Sequence, residues 1–86
     1  MGLAQVWYKN YRLSNYGISC KARILREINI HSHHTNSPGF EYIYQFASDN
    51  RKGQHTKTRF REGTKVSDVI DILVDPENPD WSVPVK

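Results

Sequence analysis

The chain has 86 residues, 37% hydrophobic and 12% aromatic, which fits one small domain with a core built from large side chains and argues against disorder. The net charge of +3 is unevenly spread: residues 1–38 hold five Lys/Arg against one Glu, residues 39–66 six against three acids, and residues 67–86 one Lys against five acids, so a basic region and an acidic end are expected. A single cysteine, Cys20, excludes an intrachain disulfide; no apolar run reaches the ~20 residues of a membrane helix, no apolar h-region marks a signal peptide, and Val6 stands where a myristoylation signal needs Ser or Thr.

Residues 3–14 lack Gly and Pro, and Leu3, Val6, Trp7 and Asn10 recur at helical spacing, which predicts a short amphipathic helix stopped by Gly17. Ile18, Cys20, Ala22, Ile24, Ile28 and Ile30 then alternate with polar residues, the mark of a strand with one buried face. Arg26 and Leu25 break the two parities, so a bulge is expected at residues 25–26. His31 to Gly39 is rich in turn formers and reads as a polar connection. Phe40, Tyr42, Tyr44 and Phe46 give the strongest strand, with the aromatic parity inward. Residues 48–53 read as a hairpin loop, with Gly53 free to take positive φ. Gln54 to Arg61 reads as the return strand, placing His55, Lys57, Arg59 and Arg61 on one face.

A turn follows at residues 62–64. Val69 to Asp75 then form a strand with Ile70, Ile72 and Val74 inward and Asp71 and Asp75 outward. Asp75-Pro76-Glu77-Asn78-Pro79 must turn, because both residues before proline are pushed out of the helical region and Asp75 can bond its own downstream backbone. Trp81 and Val83 offer a last strand, in which Pro84 suits an edge. The fold expected is mainly β: a small curved antiparallel sheet or partly open β-barrel of 4–6 strands in meander order, with a short N-terminal helix. Residues 1–16 are the helix or arm and residues 17–86 the barrel-like domain.

Three stretches resemble a family of uncharacterised bacterial β-domains, a domain of unknown function. Gly17 with Ala22-Arg23-Ile24 matches its first strand, and Tyr44-Gln45-Phe46 with Gly53-Gln54-His55 its hairpin. Ser67-Asp68-Val69-Ile70-Asp71-Ile72-Leu73-Val74-Asp75-Pro76-Glu77-Asn78-Pro79 matches its closing run, with Ser67 in place of the usual Gly and Val74 in place of the usual Tyr. The resemblance spans about three-quarters of the chain. It implies a non-catalytic barrel-like module and supplies no catalytic residues or cofactor. Family members are often membrane-tethered, whereas this chain has no integral membrane segment to predict, and a cytoplasmic location is expected.

The residues themselves point the same way. There is no Gly-rich phosphate loop, nucleophile elbow or CxxC, so no enzyme activity is expected. His31, His33 and His34 are weak metal candidates in a polar stretch, which His55 could approach across a hairpin; no metal or other cofactor is assigned. Cys20 lies on the buried parity and reads as a small core hydrophobe. Lys21 and Arg23, with His55, Lys57, Arg59 and Arg61, form a candidate polyanion-binding face for single-stranded nucleic acid. Val6, Trp7, Tyr8 and Tyr11 form a candidate surface for a protein partner or a second copy, because aromatic side chains concentrate in interface cores. The expected function is a non-catalytic interaction or accessory module, with polyanion binding as the alternative.

Overall fold

The computed structural model describes residues 3–32 and 35–85, with side chains described for residues 8–31 and 35–85. One helix, α1 (Leu3–Tyr16), precedes five strands: β1 (Ile18–Ser32), β2 (Thr35–Phe46), β3 (Asp49–Thr56), β4 (Val69–Asp75) and β5 (Asn78–Pro84). The helix stops where expected. The Gly17 amide donates to the Leu13 carbonyl at 3.1 Å, and a Cβ at Gly17 would lie 2.4 Å from that oxygen and 3.0 Å from Leu73 Cβ. Only glycine fits this close approach of α1 to β4.

The expected bulge is present: the pairing of β1 with β2 shifts register between Ile24 and Arg26. Its consequence is a strand that can bend and change partners. Before the bulge, β1 pairs with both β2 and β4; after it, only with β2. The described residues of the polar stretch 31–39 are strand, not loop. Backbone pairing continues to Ser32 opposite Thr35, so turn-forming side chains sit on paired strands because ladder hydrogen bonds satisfy their backbones better than an open loop would.

Ala22, Ile24, Phe40, Tyr42, Tyr44, Ile72 and Val74 make the core, with Cys20, Phe46, Phe60 and Ile70 packed at its margin. The inward parities of β2 and β4, and of β1 up to Ile24, supply it; Ile18, expected inward, is exposed, and past the bulge the parity flips, so that Glu27 rather than Ile28 pairs with Phe40 and Ile28 and Ile30 leave the core. Each large apolar side chain so buried contributes roughly 1.5–3 kcal/mol.

The loop expected over 48–53 is a two-residue turn instead. Phe46 pairs with Asp49, and Ala47 and Ser48 have φ of 54° and 68°, the positive values a tight hairpin requires at both positions. Gly53 therefore falls inside β3, opposite Tyr42, and does not have positive φ. A Cβ there would lie 2.7 Å from the Tyr42 ring. Gly53 is a slot for an aromatic ring, not a turn residue.

The return strand lies earlier in the chain than expected: it begins at Asp49 instead of Gln54. β3 ends at Thr56, and Lys57–Arg59 form a 3-10 turn. This turn carries Phe60 inward to edge-on contact with Phe40, at a centroid distance of 5.0 Å. The ring covers the mouth of the curved sheet, a tertiary contact that overrides the local alternation.

The strand order is β3-β2-β1-β4-β5, not a simple meander. After β3 the chain crosses to the free side of β1, and Ser67 donates to the Ile24 carbonyl while Ile24 donates to the Asp68 carbonyl, both at 2.9 Å. Ser67 has φ of 78°, a conformation glycine adopts without steric cost.

Asp75 departs from the expected outward position: it is fully buried. A second irregularity lies between Val74 and Asp75 in the pairing of β4 with β5, and the Arg12 side chain of α1 covers the carboxylate with two hydrogen bonds of 3.0 Å. The turn role also holds, since the Glu77 amide donates to Asp75 Oδ1 at 2.9 Å.

The sheet curls but does not close into a barrel. No backbone ladder joins β3 to β5. Side chains bridge the seam: Tyr42 Oη meets Ser82 Oγ at 2.8 Å, Tyr44 Oη donates to the Pro79 carbonyl at 2.6 Å, and Arg51 Nη1 donates to Asp80 at 2.9 Å.

Candidate functional site

The cationic residues do not form one stripe. Lys21 lies opposite Asp71 and pairs with it at 2.5 Å. Arg23, on the same outer face, sits between Ile43 of β2 and Val69 of β4, with Lys52 of β3 beyond Ile43. Both Arg23 and Lys52 are exposed, and neither has an ion-pair partner among the described residues. His55 has the opposite orientation: it pairs with Phe40, is half-buried, and lies near the Ser82 backbone. Burial, then the charges of Arg59 and Lys9, push its imidazole below the ordinary value. Lys57 is held by Glu27 and lies 5.4 Å from the Phe40 ring centroid.

Arg59 and Arg61 lie elsewhere again, on the rim of an open cleft of about 330 Å³. Phe60, Ile70 and Pro84 give the cleft apolar walls, but Asp68 and Asp71 line it as well. An anion entering it would meet carboxylates as well as guanidinium groups. The single face fails for two reasons: His55, still on β3, points to the inner side opposite Lys21 and Arg23, and past Thr56 the chain turns in a 3-10 geometry in which alternate residues no longer share a side.

Among the described residues, no group of three or more His, Cys, Asp or Glu side chains is arranged to hold a metal ion. His31 stands on β1 opposite Asn36, while His55 pairs with Phe40. His33 and His34 lie outside the described residues. Cys20 is packed against the core margin, and burial pushes its thiol up, away from the reactive thiolate.

The aromatic surface on α1 is more coherent. The side chains of Val6 and Trp7 lie outside the description, but Tyr8, Tyr11 and Tyr16 are 49%, 42% and 50% exposed, and Ile18 just beyond the helix is 46% exposed. Tyr11 meets Tyr16 edge-on at 6.2 Å, and Tyr8 meets Trp81 edge-on at 6.0 Å. The helix is fixed underneath by Leu13, which is buried, and by Arg12. That guanidinium joins Asp75 and Glu77 and stacks 4.6 Å from the Tyr16 centroid. Asp75 holds Arg12 more firmly charged, and Arg12 in turn holds the Asp75 carboxyl below the usual carboxylate range.

Sequence reasoning missed Tyr16, Ile18 and Arg12 as parts of this surface. The spacing of Arg12 and Tyr16, four residues apart on a helix, was the only local signal; nothing local links Arg12 to Asp75. No helix among the described residues is long and apolar enough to cross a membrane. Comparison with protein-family models, with curated proteins and with solved structures finds no match.

Proposed function

We propose that this chain is a non-catalytic interaction module that engages a protein partner through the aromatic surface of α1. The observation that carries the reading is the exposure of Tyr8, Tyr11 and Tyr16, with Tyr11 against Tyr16, on a helix anchored by Arg12 and the buried Leu13, with Ile18 exposed at the start of β1. Tyrosine supplies large, stiff contact area with a polar tip, which suits an interface core. The Arg12–Asp75 pair supports it further: it presents the helix in one orientation, which lowers the ordering cost of binding.

The test is site-specific photo-crosslinking from position 16 in cells producing the full chain, with position 52 on the outer sheet as the control. A discrete adduct from position 16 that weakens on Tyr8→Ser plus Tyr11→Ser is expected. Equal labelling from both positions, unaffected by those substitutions, would overturn the reading.

A second reading, polyanion binding, is favoured by the outer row Lys52–Ile43–Arg23–Val69. Five-stranded, partly open barrels of this size bind oligonucleotides and oligosaccharides across the outer face of strands 2 and 3. Intramolecular pairing of Lys21 with Asp71, Arg26 with Glu41 and Lys57 with Glu27 weakens it. Fluorescence anisotropy of a labelled single-stranded oligonucleotide across a salt series checks it. Salt-sensitive binding lost on Arg23→Glu plus Lys52→Glu would support the reading, and salt-insensitive or absent binding would end it.

A further inference from the structure

The β1–β2 hairpin extends beyond the body of the sheet and leaves one strand edge open. On the β4 side, β1 is paired through Arg23, and Ile24 is bonded to Ser67 and Asp68. Beyond that point, among the described residues, the same edge has no backbone partner, although β1 runs on to Ser32. Natural edge strands are usually short, or blocked by proline or lysine. The opposite edge of the hairpin follows that rule, since Pro38 stands in β2 just before β3 begins to pair at Gly39. The β1 edge has no proline or lysine over residues 26–32; its only blunting features are the bulge where it begins and the charges of Arg26 and Glu27.

The sequence of this open edge is self-complementary. Read outward from Asn29, it is Ile28 and Ile30, then Glu27 and His31. An antiparallel copy related by a two-fold axis at Asn29 sets Ile28 opposite Ile30 of the second copy and Glu27 opposite its His31. Asn29 then faces its own equivalent. Opposite residues in an antiparallel pair share a face, so an apolar pair forms on one side and an acid–imidazole pair on the other. The two isoleucines are half-buried and Glu27, Asn29 and His31 are exposed. This register uses the whole free segment 26–32 and stops short of Ile24, where Ser67 and Asp68 already occupy the edge.

We infer that a second copy of this chain is the partner of the β1 edge: two molecules join antiparallel through residues 26–32, centred on Asn29, into one continuous sheet. The interface is isologous, so each favourable pair occurs twice, and backbone hydrogen bonds supply the adhesion as in strand addition generally. It is separate from the aromatic surface of α1 and does not depend on it.

Two measurements test this on the full chain. The first is sedimentation equilibrium up to millimolar protein. The wild type is expected to dimerise, His31→Glu to weaken dimerisation at least tenfold by setting Glu27 against a carboxylate, and Glu27→Lys added to His31→Glu to recover part of the loss; circular dichroism checks that each variant is folded. The second is oxidation of Asn29→Cys, which places two thiols opposite each other on the axis. A covalent dimer is expected at a rate well above that of the wild type, whose only thiol is Cys20, and of a Gln45→Cys control on the outer face. A chain that stays monomeric at millimolar concentration, with Asn29→Cys crosslinking no faster than the controls, overturns the inference. Dimerisation abolished by Tyr8→Ser plus Tyr11→Ser but untouched by His31→Glu also overturns it, and assigns self-association to α1.

Discussion

Removing the phenol hydroxyl of Tyr42 tests how the open seam is held. Tyr42 is fully buried, and its Oη lies 2.8 Å from Ser82 Oγ, itself almost entirely buried. Tyr42→Phe leaves the serine hydroxyl short of a partner, and Ser82→Ala does the same to the phenol; each costs about 1–2 kcal/mol. In a chain of this size that is roughly 5–15 °C of melting temperature. Taking both groups away removes the unsatisfied atom along with the bond, so the double variant is expected to recover about 1 kcal/mol relative to the sum of the singles. Urea unfolding of the four proteins measures this directly.

A second readout is pH. Burial pushes the Tyr42 phenol from its ordinary value near 10 up to about 12, with the Ser82 hydrogen bond pulling the other way. Because the folded value is the higher one, this group's contribution is complete below pH 10 and is lost as the pH climbs through 12. Tyr42→Phe should lack that alkaline decline. Strict additivity of the two substitutions, with the same alkaline decline in the Phe variant, would refute a seam held by this pair.

Three further outcomes follow from the same geometry. Gly53→Ala should destabilise by about 1–3 kcal/mol by driving a methyl into the Tyr42 ring, whereas Gly63→Ala, with open space around it but positive φ, should cost about 1 kcal/mol; urea midpoints compare them. Ser67→Gly should stabilise by about 1 kcal/mol, because φ of 78° costs a serine what it does not cost glycine, and thermal unfolding reads the gain. Arg12→Met should destabilise most at neutral pH. The Asp75 carboxyl is held low mainly by the Arg12 hydrogen bond, so the wild-type advantage is present above the carboxylate range and disappears as the pH falls through the folded value. Urea unfolding at neutral and acid pH should show the gap narrowing.

Much of the fold was legible locally. The alternation in residues 18–30, 40–46 and 69–74 named the core strands, because a half-buried strand writes its two faces as period two. The bulge was visible as a break in both parities at residues 25–26, and the helix stop as Gly17. The candidate site was less legible. The cationic stripe assumed that alternation continues past Thr56, but Phe60 had to reach Phe40 and Tyr42, and the backbone turned to deliver it.

The closing run shows the division most clearly. Its residues dictated a strand with Ile72 and Val74 inside and a proline turn after it, since alternation and the restricted backbone before proline are properties of neighbours in sequence. That Asp75 is buried, and that Arg12 from the far end of the chain neutralises it and so sets the orientation of α1, was decided only by tertiary structure. So were the exchange of β1 between partners, the slot at Gly53 and the open edge beyond Ile24. These depend on residues 11 to 63 positions apart meeting in space, and short-range spacing carries no record of such encounters.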